Sequence, residues 1–182
     1  MPIPVNLPPT FADVLDKADQ PLIGAWICSG SEAAAEIIAS AGFGWTLIDG
    51  EHAPYGLETI LSLLRATDAY GLTRVVRVPV NNTALIKQYL DLGAQNLMVP
   101  MIDTAEEAEA AVAAMHYPPR GVRGVGSALA RSSRWNGVQN YLAKASDTVS
   151  LTVQIESATA VENVEEIVSV EGVDNIFVGP SD

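Results

Sequence analysis

A helix that ends near a glycine and a strand that begins two to four residues later recurs three times along this chain. The copies are Ala41-Gly42-Phe43-Gly44-Trp45, Leu92-Gly93-Ala94-Gln95-Asn96 and Glu171-Gly172-Val173-Asp174-Asn175. Strands start near residues 22, 45, 74, 96, 150 and 175, with helical patterns between them. Repeated strand–helix units require a parallel sheet, because only a crossover returns the chain to the same end. Two architectures satisfy that pattern, a doubly wound sheet and a (β/α)₈ barrel. No glycine-rich phosphate loop follows the first strand, which counts against a dinucleotide-binding version. Gly121 to Gly126 has close-set glycines, but no good helix follows them.

The element boundaries follow from local chemistry. Met1 to Pro9 reads as an irregular arm and Phe11 to Ala18 as a short helix closing the bottom of a domain. Leu22 to Ile27 is the first strand. Ser31 caps a helix over Glu32 to Ser40, and Trp45 to Ile48 is the second strand. Leu57 to Tyr70 is an amphipathic helix ended by Gly71, and Arg74 to Val78 a β-branched strand. Thr83 is placed to cap Ala84 to Leu92, and Asn96 to Val99 is a strand ended by Pro100. Thr104 and Glu107 form a capping box for Ala105 to Met115. A helix near Val138 to Lys144, a strand Ser150 to Ile155, a helix Ala158 to Val168 capped by Ser157, and a strand Asn175 to Val178 complete the reading. A barrel needs eight strands and roughly 250 residues. Six strands in 182 residues therefore predict a single domain over residues 1–182, a barrel cut short after its sixth strand.

Composition restricts the partners. Hydrophobic residues are 48% of the chain, enough for a packed core, and the net charge of −12 repels phosphate backbones and anionic lipid. Nucleic acid and membrane are thus not expected partners. One cysteine excludes an internal disulfide and, with no visible secretory signal, suggests the cytoplasm.

In a parallel barrel, side chains at the C-terminal ends of the strands face the active site. The polar residues there are Trp26, Asp49, Glu51, His52, Arg77, Gln154, Glu156 and Asp182. Glu156 and Asp182 end successive strands, close enough to share one hard divalent cation; each alone could equally be an acid at a helix N-terminus. His52, one of only two histidines, follows two acids and is a candidate general base near neutral pH. Asp49 could orient it, and Asp91 could if the fold brings it near. Arg77 interrupts a buried strand, so it is either paired to an acid or aimed at negative charge on a substrate. His116 reads as structural and Cys28 as packing. Lys17, Lys87 and Lys144 all fall on helices, which disfavours Schiff-base chemistry in this part of the chain.

These residues carry a resemblance. Leu47-Ile48-Asp49-Gly50-Glu51-His52-Ala53-Pro54, Val76-Arg77-Val78-Pro79, Ile86-Lys87-Gln88, Tyr117-Pro118-Pro119, Gly121-Val122-Arg123-Gly124, Val153-Gln154-Ile155-Glu156 and Phe177-Val178-Gly179-Pro180-Ser181-Asp182 closely resemble the metal-dependent, class II pyruvate aldolases. That family includes 4-hydroxy-2-oxoheptanedioate aldolase and the 2-keto-3-deoxy-sugar-acid aldolases. The resemblance implies a (β/α)₈ barrel that assembles as a homo-hexamer. It implies Mg²⁺, Mn²⁺ or Co²⁺ on Glu156 and Asp182, and His52 as base supported by Asp91, with Asp49 in its network. By the same resemblance Arg77 stabilises an enolate, Trp26 and Gln154 line the pyruvate site, and backbone N–H groups around Ser181 and Asp182 hold the carboxylate. The substrates would be a 2-oxo acid and an aldehyde, in the breakdown of aromatic compounds. The segment Gly124 to Arg131 with Ser133 to Asn136 is most similar to the heptanedioate branch. Sugar-acid aldol cleavage, oxaloacetate decarboxylation on the same site, and a non-catalytic metal-binding barrel are the alternatives.

Overall fold

The computed structural model describes residues 5–181, so the expected ligand Asp182 and the first four residues of the arm lie outside it. The elements alternate as α1 (Phe11–Asp16), β1 (Gly24–Ile27), α2 (Glu32–Ser40), β2 (Trp45–Asp49), α3 (Leu57–Ala66), β3 (Thr73–Arg77), α4 (Thr83–Asp91), β4 (Asn96–Val99), α5 (Ala105–Met115), α6 (Tyr141–Lys144), β5 (Ser150–Ile155), α7 (Ala158–Glu162), α8 (Val164–Val168) and β6 (Asn175–Val178). The six strands form one parallel sheet in the order β1-β2-β3-β4-β5-β6.

That order decides between the two architectures. A doubly wound sheet reverses strand order at a switch point; here every crossover steps one strand in the same direction. The sheet also curls. Laid flat at about 4.8 Å per strand, β1 and β6 would be ~24 Å apart. Instead the Trp26 and Phe177 rings meet edge to face, centroids 6.0 Å apart. The described residues form the curved wall of a (β/α)₈ barrel.

Side-chain alternation along each strand makes the two faces distinct. Ile48, Val76, Leu97 and Val153 point outward into a large core with the helices. Leu47, Val75 and Met98 point inward, and Phe11 of α1 joins them. Phe11 packs on Trp45 at 5.1 Å, and its N–H donates to the Asn96 side chain at 2.7 Å. The helix expected to close the bottom does so. The glycines of the repeat, Gly42, Gly93 and Gly172, all have positive φ, as the reversal from helix to strand requires.

Several boundaries differ from the sequence reading. Helix α3 stops at Ala66 and a 3₁₀ turn, Asp68–Tyr70, replaces its expected last turn. Thr67 turns its hydroxyl back to the Leu63 carbonyl at 2.8 Å, a bond that competes with continued helix. The cap of α4 is Asn82 rather than Thr83; its side chain accepts from the N–H groups of both Ala84 and Leu85. Only Tyr141–Lys144 of the expected 138–144 helix forms. The expected 158–168 helix is two pieces broken at Asn163, whose side-chain amide donates instead to the Asp103 carbonyl at 2.8 Å. The capping box at Thr104 and Glu107 is present.

Candidate active site

The inward positions at the C-terminal ends of the strands carry the polar cluster. Register places Asp49, last residue of β2, beside Arg77, last residue of β3. Both are buried. The pair is bidentate: Arg77 Nε donates to Asp49 Oδ1 and Nη2 to Oδ2, each at 2.9 Å. The Asp49 carboxylate also accepts from the backbone N–H of Glu51 at 3.1 Å and of His52 at 3.4 Å. Burial alone would raise the Asp49 pKa; the Arg77 hydrogen bonds and backbone donors outweigh it, and the carboxyl lies below the ordinary aspartate range.

The rest of the guanidinium faces the site. Nη1 donates to Gln154 Oε1 at 3.3 Å and lies 2.9 Å from Glu51 Oε2, and the group stacks over the Trp26 ring at 4.7 Å. The ion-pair reading of Arg77 is the one the geometry shows. Gln154, buried on β5, has its amide nitrogen against Glu156 Oε2.

Glu156 is held from a second side. Its Oε1 accepts the backbone N–H of Met101 at 2.7 Å. Met101 follows Pro100 at the end of β4 with φ 52°, a left-handed conformation that costs a non-glycine residue about 1–2 kcal/mol. Such strain persists where the surroundings over-determine it. A Met101→Gly variant is expected to be near neutral in stability, and Met101→Val to lie about 1–2 kcal/mol below it, because a β-branched residue tolerates positive φ worst. Denaturant unfolding of the two variants checks this. Sequence gave no sign of Met101; only a backbone angle reveals it.

The sequence assigns Glu51 no role of its own. Its Oε2 is buried with no hydrogen-bond partner, 2.9 Å from Arg77 Nη1 and 3.6 Å from the His52 ring. Burial, with Glu156 and Asp49 adding to it against Arg77 and His52, holds its pKa above the ordinary glutamate value.

His52 is at the rim, its side chain 74% exposed and facing Glu51. Asp91 pairs with Arg123 Nη2 at 2.7 Å; among the described residues it makes no hydrogen bond or ion pair with His52. Arg123 is almost fully buried over the Tyr117 ring, so it needs a counter-charge, and Asp91 supplies it. Asp49 reaches only the His52 backbone. Ser181 is exposed in the turn after β6. Cys28 corrects the packing expectation: it is exposed at the mouth, its Sγ 4.0 Å from Asp49 Oδ2. It lies one residue past β1. His116 is buried, and burial with Arg120 and Arg123 pushes its pKa down to about 4.

The fold and site are those of a parallel barrel wall with a clamped guanidinium and carboxylates at its C-terminal rim. The model of the HpcH/HpaI aldolase/citrate lyase family matches residues 22–182, and the chain belongs to that family. It is 54% identical over 185 residues to the hydroxypyruvate/pyruvate aldolase of Deinococcus radiodurans, covering 100% of this chain and 66% of that protein. It is 52% identical over 166 residues to the 4-hydroxy-2-oxo-heptane-1,7-dioate aldolase of Escherichia coli, covering 91% of this chain and 63% of that protein. The crystal structure of a family protein from Burkholderia cenocepacia superposes with a TM-score of 0.88 at 41% identity, covering 93% of this chain and 68% of that one. The chain thus spans about two thirds of the length of the curated relatives it matches.

Proposed function

We propose that this protein catalyses the reversible, divalent-metal-dependent retro-aldol cleavage of a 4-hydroxy-2-oxo acid to pyruvate and an aldehyde. The observation that supports it most is the Arg77 guanidinium, fixed by Asp49 and Gln154 beside Glu51 at the strand ends. It is a preorganised cation where an enolate oxygen would develop charge.

The donor chemistry fits a hard cation. Among the described residues no three His, Cys, Asp or Glu side chains gather as a metal site. The oxygen set is nonetheless carboxylate-rich, and Glu51 Oε2, ion-paired to Arg77 at 2.9 Å, is a buried acceptor within it that makes no hydrogen bond among the described residues. Glu156 and Asp182 are the residues we assign to hold Mg²⁺, Mn²⁺ or Co²⁺. When bound, the cation would supply Lewis-acid polarisation of the 2-oxo acid.

The chain's own residues do the rest. His52 takes the proton of the C4 hydroxyl. The C3–C4 bond breaks, its electron pair passes into the C2–C3 enolate, and the C4 oxygen becomes the aldehyde carbonyl. Arg77 stabilises the enolate oxygen, Gln154 and Trp26 orient the three-carbon acid, and backbone N–H groups at Ser181 and Asp182 hold its carboxylate. A proton added at C3 gives pyruvate. We place Asp91 as the support of His52 in the assembled protein, a homo-hexamer in the cytoplasm; among the described residues no helix is long and apolar enough to cross a membrane.

The enolate half-reaction is testable alone. Protein loaded with Mn²⁺ is expected to exchange the C3 protons of pyruvate for deuterium in D₂O, read by NMR. EDTA should abolish the exchange and added metal restore it. Loaded protein that exchanges nothing ends the proposal. The Deinococcus relative's name favours a second nucleophile, hydroxypyruvate; the same assay on its C3 protons ranks the two donors.

A further inference from the structure

The loop from Gly50 to Gly56 joins β2 to α3 and carries Glu51 and His52. Its start is firmly held. The Gly50 N–H donates to the Arg77 carbonyl at 2.9 Å, and the Asp49 carboxylate accepts the Glu51 N–H at 3.1 Å. The hold weakens at His52, whose N–H reaches the same carboxylate at 3.4 Å. Its side chain is largely exposed, so little packing fixes the ring.

Between His52 and Gly56, the N-cap of α3, one hydrogen bond among the described residues ties the loop to another part of the barrel. The Tyr55 hydroxyl donates to the carbonyl of Ile27, the last residue of β1, at 2.7 Å. The Tyr55 N–H only turns back on the Ala53 carbonyl at 2.9 Å. Burial, with Cys28 and Asp49 adding to it, raises the pKa of the phenol, so the hydroxyl stays a donor.

The ring is fixed as well. It packs against the core beneath the helices. On its other side a Cβ at Gly30 would lie 3.1 Å from its Cδ1, and Gly30 has φ 67°. A side chain at Gly30 would be strained and would crowd the ring. Tyr55 thus joins the two loops that follow β1 and β2, one carrying Cys28 and the other Glu51 and His52.

A general base works only within hydrogen-bond reach of the proton it takes. A displacement of about 1 Å can cost roughly 10²-fold in rate. We propose that Tyr55 is the positioning residue for His52: its hydroxyl pins the loop to the end of β1 and so sets where the imidazole meets the C4 hydroxyl of the substrate. The inference rests on the retro-aldol reading with His52 as its base. Tyr55 itself contacts neither substrate nor metal in it.

Tyr55→Phe removes one oxygen and leaves the ring. In Mn²⁺-loaded protein it is expected to lower kcat for cleavage of 4-hydroxy-2-oxoheptanedioate about 10–100-fold. KM should stay within about threefold, since Arg77 and Gln154 still hold the 2-oxo acid. His52→Ala supplies the discriminating background. Residues that act as a unit are not additive, so Tyr55→Phe should change the residual rate of His52→Ala by less than about twofold. Equal slowing in both backgrounds overturns the inference, because the hydroxyl would then support the fold at large. A raised KM with unchanged kcat overturns it too, because the hydroxyl would then serve substrate binding. Circular dichroism checks the fold. Should Tyr55→Phe not fold, Gly30→Ala, which crowds the ring and keeps the hydroxyl, is read by the same criteria. A parent that neither cleaves nor exchanges pyruvate protons ends the retro-aldol reading and this inference together. A parent that cleaves, beside a Tyr55→Phe that matches it within twofold, ends this inference alone.

Discussion

Asp49→Asn is expected to lower the stability of the fold by about 3 kcal/mol. Removing one partner of a buried ion pair costs about 3–5 kcal/mol, because the remaining charge stays in a poorly solvated place. Arg77 remains partly compensated by Glu51 at 2.9 Å, which puts the value at the lower end. The asparagine would also turn an N–H₂ group toward a guanidinium that offers only donors. The double variant Asp49→Asn/Arg77→Met should recover much of the loss, since the pair as a whole contributes little net stability compared with apolar packing. Urea unfolding of parent, singles and double closes the cycle. A loss below 1 kcal/mol for Asp49→Asn would mean that the pair is more solvated than its burial implies.

The pH dependence follows with a definite sign. Asp49 has a folded-state pKa below its unfolded value near 3.8, so its contribution is present above that pH and disappears as pH falls through the folded value. The gap between parent and Asp49→Asn should be flat above about pH 5 and close below about pH 3.8. Glu51 runs the other way: its pKa is raised above 4.5, so its protonated carboxyl favours the fold below that value, and this contribution is lost as pH rises through the folded pKa.

Strand and helix alternation was legible because a parallel sheet leaves its period and its glycines in the sequence. The boundaries that failed are those settled by side chains acting across the fold or back on the helix. Asn163 prefers the Asp103 carbonyl to its own helix, and Thr67 bonds backward to Leu63. The candidate site was legible as a set of residue types but not as a set of pairs. That Asp49 clamps Arg77 depends on the register of β2 against β3, and spacing within one strand cannot reveal it. The backbone hold of Met101 on Glu156 joins residues 55 positions apart through a dihedral angle that no residue type announces. Two acidic neighbours single out His52 in the sequence, and in the structure its ring faces Glu51, the one of the two that spacing leaves without a role.

Arg77→Lys is expected to slow retro-aldol turnover and pyruvate proton exchange by about 10²–10³-fold, the usual effect of losing one preorganised donor at a developing oxyanion. The fork is what matters. Two nitrogens are fixed on Asp49 at 2.9 Å, the plane is pinned on Trp26 at 4.7 Å, and Nη1 is held between Glu51 and Gln154. The reorganisation cost is met in folding, not during reaction. A lysine ammonium is a point charge on a flexible stem and would settle on Asp49 with nothing left directed at the substrate. Affinity for the 2-oxo acid should change less than turnover, because the interaction strengthens only as charge moves onto the oxygen. Circular dichroism at the assay temperature separates this from unfolding, since Asp49 keeps a cationic partner in the variant. A variant that stays folded and keeps turnover within tenfold of the parent would show that the guanidinium is a structural counter-ion for Asp49, and that the enolate charge is met by other groups.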